Sequence, residues 1–231
     1  MTFSPTGKGA RPSRRTVIAG TLTSSVLASC ADPKLFLRNA QAVASPLFGR
    51  NQSSGFTRAQ IAQIPAASIA VSVGADDPQL MLLTDVSGNV HQWAGAGHRV
   101  LETRGGRITK TGGFGHDLAN TTEITADPAQ AAILLADQEH CDRALDFTDS
   151  NGMDCEALSV FRVEGPETLV ILGAKISTLR IVEHVRVKAL SWRHKNTFWA
   201  EMTTGYVWRS RQHTHPSLDP LTLTTMRPAN A

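Results

Sequence analysis

The residue with the clearest chemistry in this sequence is Cys30, which ends an N-terminal export leader. Residues 1–29 hold four basic residues and no acidic one, and a moderately apolar stretch leads into Leu27-Ala28-Ser29-Cys30. The stretch is too short to span a bilayer, so this order is typical of a signal peptide. Small residues before a cysteine admit the lipoprotein signal peptidase, and the thiol accepts a diacylglyceryl group. We predict cleavage before Cys30 and lipidation of its sulfur; an ordinary signal peptide with an incidental cysteine is the alternative.

The leader also bears on the export route and the destination. Arg14-Arg15 resembles a twin-arginine signal, although Val17 stands where that signal favours Phe, and the ordinary secretory route stays open. A processed lipoprotein cysteine carries more than one acyl chain, which suffices for stable anchoring. Ala31, rather than the Asp that retains lipoproteins in the inner membrane of enteric bacteria, follows the cysteine. We expect a lipid anchor on the periplasmic side of the outer membrane, with inner-membrane retention as the alternative.

Two further thiols, Cys141 and Cys155, form an even pair in an oxidising compartment. A disulfide between them would close a loop of about 15 residues and contribute about 3 kcal/mol. The segment between them is rich in Asp and contains Asn151-Gly152, as expected of a loop that such a bond would hold. The alternative is a metal site that adds His140, but zinc ligands usually come in more closely spaced pairs. We predict the disulfide and no bound metal.

Composition limits the function classes. Removal of 29 leader residues from 231 leaves 202, enough for one domain with a core. Four of the 23 Lys and Arg lie in the leader, so 19 remain against 20 Asp and Glu, and nothing indicates a nucleic-acid partner. Residues 117–167 hold twelve acidic and two basic residues, whereas residues 168–215 hold eight Lys or Arg and two acidic residues. Either the stretches neutralise each other, or the second forms a basic face for an anionic polymer or an acidic partner.

Local patterns indicate a β-rich domain after a tether at residues 30–55. Thr57 and Gln60 predict a capping box for a short helix that Pro65 ends. Period-two runs separated by glycine turns follow, among them strands at Leu158–Glu164, Thr168–Leu172 and Ile176–Val187, the last two joined by a turn at Gly173-Ala174. Ala126–Asp137 is a candidate helix. We predict a mainly β fold for a single domain at 56–228: an antiparallel meander of hairpins curled into a barrel-like or doubled-over sheet, with a short N-terminal helix.

The segment Asn196–Gln212 predicts a hairpin with two distinct faces. A three-residue turn ending at a left-handed Gly205 keeps arginine out of the apolar face, which a two-residue turn would not. This alignment gives a predicted core face that contains Phe198, Ala200, Met202, Tyr206 and Trp208.

The opposite face of this predicted hairpin is a candidate binding surface. It carries Trp199, Arg209 and Arg211, and Arg209 can lie against Trp199 in a cation–π pair worth about 0.5–1 kcal/mol. Sugar-binding proteins stack aromatic rings on sugars and use arginine for acidic substituents. Trp199, Arg209 and Arg211 are therefore the candidate ligand-binding residues.

Residues suited to catalysis are few and lie apart in the sequence. Glu102 and Glu201 on predicted strands suit a glycosidase pair, but their separation is not fixed by sequence. His213 and His215 share a face if the segment is extended, which is a possible metal pair. We expect structural roles for all four, and hence no catalytic residue, no metal and no cofactor.

Three blocks resemble the YjbF/GfcB lipoproteins of exopolysaccharide and group 4 capsule loci. They are FTRAQIAQIPAASIAVSVG (56–74), VLETRGGRITKTGGFGHDL (100–118) and SWRHKNTFWAEMTTGYVWRSRQHTHPSLDPLTL (191–223). The last is the most specific, because its aromatic, turn and arginine positions fall in the family's order. The resemblance covers most of residues 56–225 but is poor across 119–157. It implies an outer-membrane lipoprotein with a mainly antiparallel β fold that acts in synthesis or export of a surface polysaccharide, and it carries over no catalytic residues.

The anchor, the β-rich body and the resemblance together predict a non-enzymatic accessory or binding factor in exopolysaccharide or capsule assembly or export. The expected partners are the membrane, an anionic polysaccharide and polysaccharide-export proteins. One alternative is a periplasmic enzyme that modifies the polymer. Another is a carrier that encloses a lipid or a lipid-linked sugar in a cavity of several hundred Å³.

Overall fold

The computed structural model describes residues 55–123, 140–149 and 152–229. They form a helix α1 (Arg58–Ala62), a 3-10 turn (Ala96–His98) and twelve strands. The strands are β1 (Ser68–Val73), β2 (Gln79–Ser87), β3 (Val90–Gly95), β4 (Val100–Arg104), β5 (Arg107–Gly112), β6 (Leu118–Glu123), β7 (His140–Phe147), β8 (Cys155–Ile171), β9 (Ala174–Val187), β10 (Trp192–Glu201), β11 (Val207–Gln212) and β12 (Leu221–Arg227).

Several predictions lie outside the described residues. They concern cleavage and lipidation at Cys30, the tether up to residue 54 and the candidate helix Ala126–Asp137. Within the described ranges, no helix is long and apolar enough to cross a bilayer.

All twelve strands belong to one antiparallel sheet, in the order β5-β4-β3-β2-β1-β12-β11-β10-β9-β8-β7-β6. Two meanders, β1–β5 and β6–β12, join where β1 pairs with β12. The two ends of the sheet then meet: the Leu118 backbone N–H of β6 donates to Oγ1 of Thr111 of β5 at 2.9 Å, and Arg104 at the end of β4 pairs with Glu123 of β6 at 3.6 Å. The sheet is therefore nearly closed and barrel-like, which confirms the predicted fold class.

Helix α1 covers the outer face of the first strands. The predicted capping box is present, since the Thr57 side chain accepts from the Gln60 N–H and the Gln60 carboxamide accepts from the Thr57 N–H at 2.8 Å. Ile61 and Ile64 pack with Leu80 in a buried cluster. Consequently both faces of β1 are buried from Ser68 to Val71, although its alternation of apolar and small polar residues is typical of a half-buried strand.

Strands β8 and β9 form one long hairpin rather than the predicted three runs. The break expected after Glu164 is a β-bulge at Gly165, which has a φ of 129° and lets β8 continue to Ile171. The turn is Leu172-Gly173, one residue earlier than predicted, with both residues at positive φ. The carbonyl of Leu172 accepts from the Arg58 guanidinium at 2.9 Å, so the hairpin tip is fixed against α1.

A buried carboxylate joins distant strands inside the sheet. Glu183 on β9 is fully buried, and its oxygens accept from Arg107 of β5 at 3.0 and 3.2 Å and from Arg143 of β7 at 2.6 Å. Asn196 of β10 donates to the same carboxylate at 2.8 Å. Burial alone would raise the pKa of Glu183, but the two guanidinium groups hold that pKa well below its ordinary value. These four side chains are called the inner charge network below.

Cys141 and Cys155 do not form the predicted disulfide. On the paired strands β7 and β8, Cys141 stands opposite Ser159, while Cys155 stands opposite Leu145. The two cysteines are thus four positions apart along the ladder, about 13 Å at the usual rise per residue. A disulfide needs Cα atoms within roughly 7 Å. The Asp-rich segment was expected to be a loop, but both cysteines lie within the ladder.

Candidate functional site: an aromatic cleft at the mouth of the sheet

A cleft of about 490 Å³ opens at one end of the barrel-like sheet. The β2–β3, β4–β5 and β10–β11 turns border it, and glycines at positive φ make each turn tight: Gly88, Gly105, Gly106 and Gly205. The mouth of a β-barrel is a common position for a ligand site. The aromatic and charged side chains of this mouth cleft are His91, Trp93, Tyr206, Trp208 and Arg209.

The first meander supplies a firm wall of the mouth cleft. Trp93 is 4% exposed, and its indole N–H donates to Oγ1 of Thr103 at 2.9 Å, which fixes the ring. The His91 ring meets Trp93 edge-on, with 5.8 Å between ring centroids. Burial lowers the pKa of His91 and so favours its neutral form on this aromatic side of the cleft.

Tyr206 and Trp208 form the opposite aromatic wall, which corrects their predicted place in the core. Gly205 is left-handed as predicted, with a φ of 71°, and Phe198 is fully buried as predicted. The pairing of β10 with β11, however, shifts between Trp199–Arg209 and Ala200–Val207.

This bulge explains the displaced aromatic residues. It puts Val207 opposite Ala200, the inward position that the predicted three-residue turn assigned to Trp208, while Ser210 keeps its expected place opposite Phe198. The two aromatic rings instead pack edge-to-face, 5.2 Å apart and inclined at 71°, and line the cleft. Both are partly exposed.

Arg209 adds the charged group of the cleft. Its Nε donates to Oγ1 of Thr224 at 3.1 Å, while within the described residues its terminal nitrogens have no acceptor. Burial lowers the pKa of Arg209, and the Glu167 carboxylate partly opposes that effect. A guanidinium held at one nitrogen beside two aromatic rings can bind an acidic group with its remaining N–H donors.

The predicted face of Trp199, Arg209 and Arg211 is only partly assembled. Trp199 and Arg209 are direct cross-strand neighbours, and Arg211 is exposed opposite Thr197. The cation over the Trp199 ring is Arg180, at 5.9 Å from the ring centroid, rather than Arg209. Arg209 belongs to the mouth cleft, which Trp199 and Arg211 do not line.

Gly106 keeps the mouth cleft in its present shape. A Cβ at this position would lie 2.5 Å from Cβ of Val207, so the β4–β5 turn approaches β11 more closely than any other residue type permits. The Gly106 carbonyl also accepts from the Gln212 carboxamide at 2.8 Å. The turn is therefore fixed against the strand that carries Trp208 and Arg209.

The family model described as "Group 4 capsule polysaccharide lipoprotein gfcB, YjbF" matches residues 37–226. This chain belongs to that family. The "Uncharacterized lipoprotein GfcB" of Escherichia coli (strain K12) is 26% identical over 180 residues, which span 78% of this chain and 84% of that protein. The resemblance of the three sequence blocks is thereby confirmed.

A solved structure supports the fold of this YjbF/GfcB family member. The crystal structure of the hypothetical lipoprotein YmcC from Escherichia coli (K12) matches with a TM-score of 0.71 at 24% identity, over 82% of this chain and 96% of that one. At this identity the likeness concerns the fold alone.

A second polar cluster in this family member joins three loops at the other ends of the strands. Oδ2 of Asp149 lies 2.9 Å from Nε2 of His215 and 3.3 Å from Nδ1 of His116. This cluster was not predicted from the sequence, where His215 was paired with His213. Nδ1 of His213 instead lies 3.2 Å from the Lys195 carbonyl oxygen.

The geometry of this cluster favours hydrogen bonds over metal coordination. The rings of His116 and His215 are stacked, 4.8 Å apart and inclined at only 14°, so one ion cannot lie in the plane of both. The Ser217 N–H donates to Nδ1 of His215, which places the ring proton on Nε2, the atom that faces Asp149. The cluster therefore holds the three loops together.

The two carboxylates considered as a glycosidase pair are each occupied locally. Glu102 of β4 accepts from the Thr109 hydroxyl at 2.8 Å, and Glu201 at the end of β10 accepts from the Thr204 hydroxyl at 2.6 Å. Neither lines the mouth cleft. Their contacts are those of carboxylates that stabilise hairpins.

Proposed function

We propose that this chain is an outer-membrane lipoprotein that binds a saccharide in its mouth cleft, as a non-enzymatic accessory factor in capsule or exopolysaccharide assembly or export. The observation that carries the proposal is the side-by-side arrangement of Tyr206, Trp208 and Arg209 in a cleft large enough for a few sugar rings. Membership of a family described by capsule polysaccharide supports it.

The chemistry of the cleft suits a sugar with acidic substituents. The C–H face of a pyranose packs on an aromatic ring, and the rings of Tyr206 and Trp208 offer such faces at two orientations. The planar guanidinium of Arg209 matches a carboxylate or a pyruvyl group in a bidentate manner. A saccharide could therefore be oriented in the cleft without any bond being made or broken.

The predicted anchor gives this binding role a place in the cell. Lipid on Cys30 would fix the domain at the periplasmic side of the outer membrane, where a polymer passes on its way to the surface. Polysaccharide-export proteins are the expected partners there. Replacing Cys30 with Ser should release the protein from the membrane fraction while leaving the binding of saccharide unchanged.

A pair of chromosomal variants tests the proposed role. Tyr206→Ala combined with Trp208→Ala removes both aromatic faces, and we expect the amount of surface polysaccharide to fall toward that of a gene deletion. Trp199→Ala is the matched control, because this tryptophan lies on the same hairpin outside the cleft. Wild-type polysaccharide yield in the deletion strain, or equal loss in both variants at equal protein abundance, would refute the proposal.

Incubation of the full-length chain with the polymer distinguishes binding from an enzymatic role. The chain length and the substituents of the polymer should stay unchanged if the protein only binds, whereas an enzyme would change one of them. A carrier role is the second candidate, because about 490 Å³ also meets the volume expected for enclosing part of a lipid-linked sugar. Native mass spectrometry that shows a co-purified lipid would favour the carrier.

A further inference from the structure

The outer face of β8–β11 carries a concentration of positive charge away from the mouth cleft. Six basic side chains on this face are exposed, and none forms an ion pair with another residue in the described part of the chain. They are called the basic face: Arg162, His184, Arg186, Arg193, Lys195 and Arg211.

Strand register brings these cations together. Arg186 on β9 stands directly opposite Arg193 on β10, and Lys195 lies in the next ladder row on the same face, opposite the imidazole of His184. Like charges at directly opposed positions of an antiparallel pair, such as Arg186 and Arg193, destabilise a sheet. The fold therefore keeps an arrangement that costs stability, and the two acidic residues of the 168–215 stretch do not relieve it: Glu183 is buried inside the sheet, and Glu201 bonds to Thr204.

Strand β8 adds apolar surface beside the cations. Leu158 and Val160 are 41% and 39% exposed, and they stand opposite Arg186 and His184 in the ladder. Together with Arg193 and Lys195 they line a shallow groove of about 410 Å³. A groove with an apolar floor and cationic walls suits a ligand that has apolar faces and regularly spaced negative charges.

We propose that the basic face binds a linear polyanionic polysaccharide, whose sugar rings pack on Leu158 and Val160 while its carboxylates meet the cations. This rests on the proposed function and narrows its ligand to an acidic polymer. The cations extend over four strands and three ladder rows, which is more than one small anion can contact. The attraction between the cations of the protein and the carboxylates of the polymer carries the binding. Because salt screens this attraction, the affinity falls as ionic strength rises.

The test uses the full-length chain with Cys30→Ser, which cannot carry lipid, and polygalacturonate as the probe. Arg186→Glu with Arg193→Glu should weaken binding at least tenfold at low salt and flatten its salt dependence. Lys110→Glu with Lys175→Glu is the control, since both lysines are exposed outside the basic face and the net charge changes equally. Wild-type and control proteins should bind polygalacturonate within twofold of each other, and neutral dextran should not compete.

Three outcomes would overturn the proposal: equal loss in both double variants, no loss in either, or binding to vesicles with anionic lipid but not to polygalacturonate. If the glutamate variant does not fold, Arg186→Gln with Arg193→Gln replaces it, with a loss of at least fivefold expected. Trp208→Ala separates the two sites. If only Trp208→Ala binds more weakly, the mouth cleft is supported and the basic face is refuted. If only the arginine variant binds more weakly, the basic face is supported and the mouth cleft is refuted.

Discussion

The inner charge network and the mouth cleft lie within the same sheet and use arginine in opposite ways. In the network, Arg107 and Arg143 are 2% and 3% exposed, and both donate to one carboxylate. In the mouth cleft, Arg209 is only partly buried, and its terminal nitrogens have no acceptor in the described ranges. An arginine whose donors are occupied by a buried carboxylate supports the fold, whereas one with remaining donors beside exposed aromatic rings is available to a ligand.

The largest expected effect breaks the buried side of this comparison. Glu183→Gln leaves two buried guanidinium groups without their counter-charge, and we expect the free energy of unfolding to fall by about 3–5 kcal/mol. Urea denaturation measures it. Glu164→Gln is the control, because Oε2 of Glu164 pairs with Nε of Arg180 at 3.3 Å and both side chains are exposed. Exposed ion pairs contribute about 0–1 kcal/mol. Equal losses in the two variants would contradict the distinction between buried and exposed pairs.

The second largest effect is expected for Gly106→Ala, which lies between the inner charge network and the mouth cleft. The added Cβ would meet Val207 at 2.5 Å, and the φ of 92° disfavours any side chain, so we expect a loss of about 2–3 kcal/mol together with weaker saccharide binding. Gly88→Ala in the β2–β3 turn is the matched control, since its φ of 62° is also positive but no atom lies within 4 Å. If Gly106→Ala lowers the free energy of unfolding no more than Gly88→Ala does, close packing at Gly106 does not shape the mouth cleft.

Lowering the pH from 7 to 5 should lower the free energy of unfolding through a histidine beside the inner charge network, while Glu183 keeps its charge. Burial, with the neighbouring His213, lowers the pKa of His194 to about 3. The unfolded chain therefore takes up a proton below about pH 6.5 that the folded chain does not, and stability falls as the pH drops. We expect a loss of about 2 kcal/mol between pH 7 and pH 5, measured by denaturation at each pH.

The contribution of Glu183 behaves differently over the same interval. Its folded pKa lies below the ordinary 4.5, so its stabilisation is complete above pH 4.5 and is lost only at lower pH. His194→Gln should therefore remove the larger part of the loss between pH 7 and pH 5. A pH dependence unchanged by this substitution would contradict the assignment to His194.

The smallest expected effect concerns Trp199, which shares the hairpin of the cleft residues but not the cleft. Trp199→Ala removes the contact with Arg180, and we expect a loss of about 0.5–1 kcal/mol in stability and no change in saccharide affinity. Calorimetric titration with an acidic oligosaccharide measures the affinity. Weaker binding than wild type would return Trp199 to the binding site.

Local features of the sequence predicted local structure. The capping box at Thr57 and the left-handed Gly205 follow from residues a few positions apart, and both are present. Trp199 and Arg209 are ladder neighbours as predicted, but the cation over the Trp199 ring is Arg180. The bulge after Trp199 has no comparable signal, and it alone moves Trp208 from the predicted core to the cleft.

Contacts between distant strands were beyond the sequence for a physical reason. Glu183 stands at an inward position between Ile181 and Val185, which is a visible sign of a buried charge. Its partners could not be read from that pattern, because Arg107 is 76 residues away and Arg143 is 40. The disulfide prediction failed likewise, since the spacing of Cys141 and Cys155 reveals nothing about ladder register.

The indole N–H resonances of the four tryptophans test the central claim most directly. The full-length chain labelled with ¹⁵N-tryptophan gives one signal per indole, assigned by single Trp→Phe variants, and an acidic oligosaccharide is titrated in. If the mouth cleft is the saccharide site, the Trp208 signal shifts most and Trp93 next, while Trp192 and Trp199 stay in place. A shift confined to Trp199, or no shift at saturating ligand, would contradict the account.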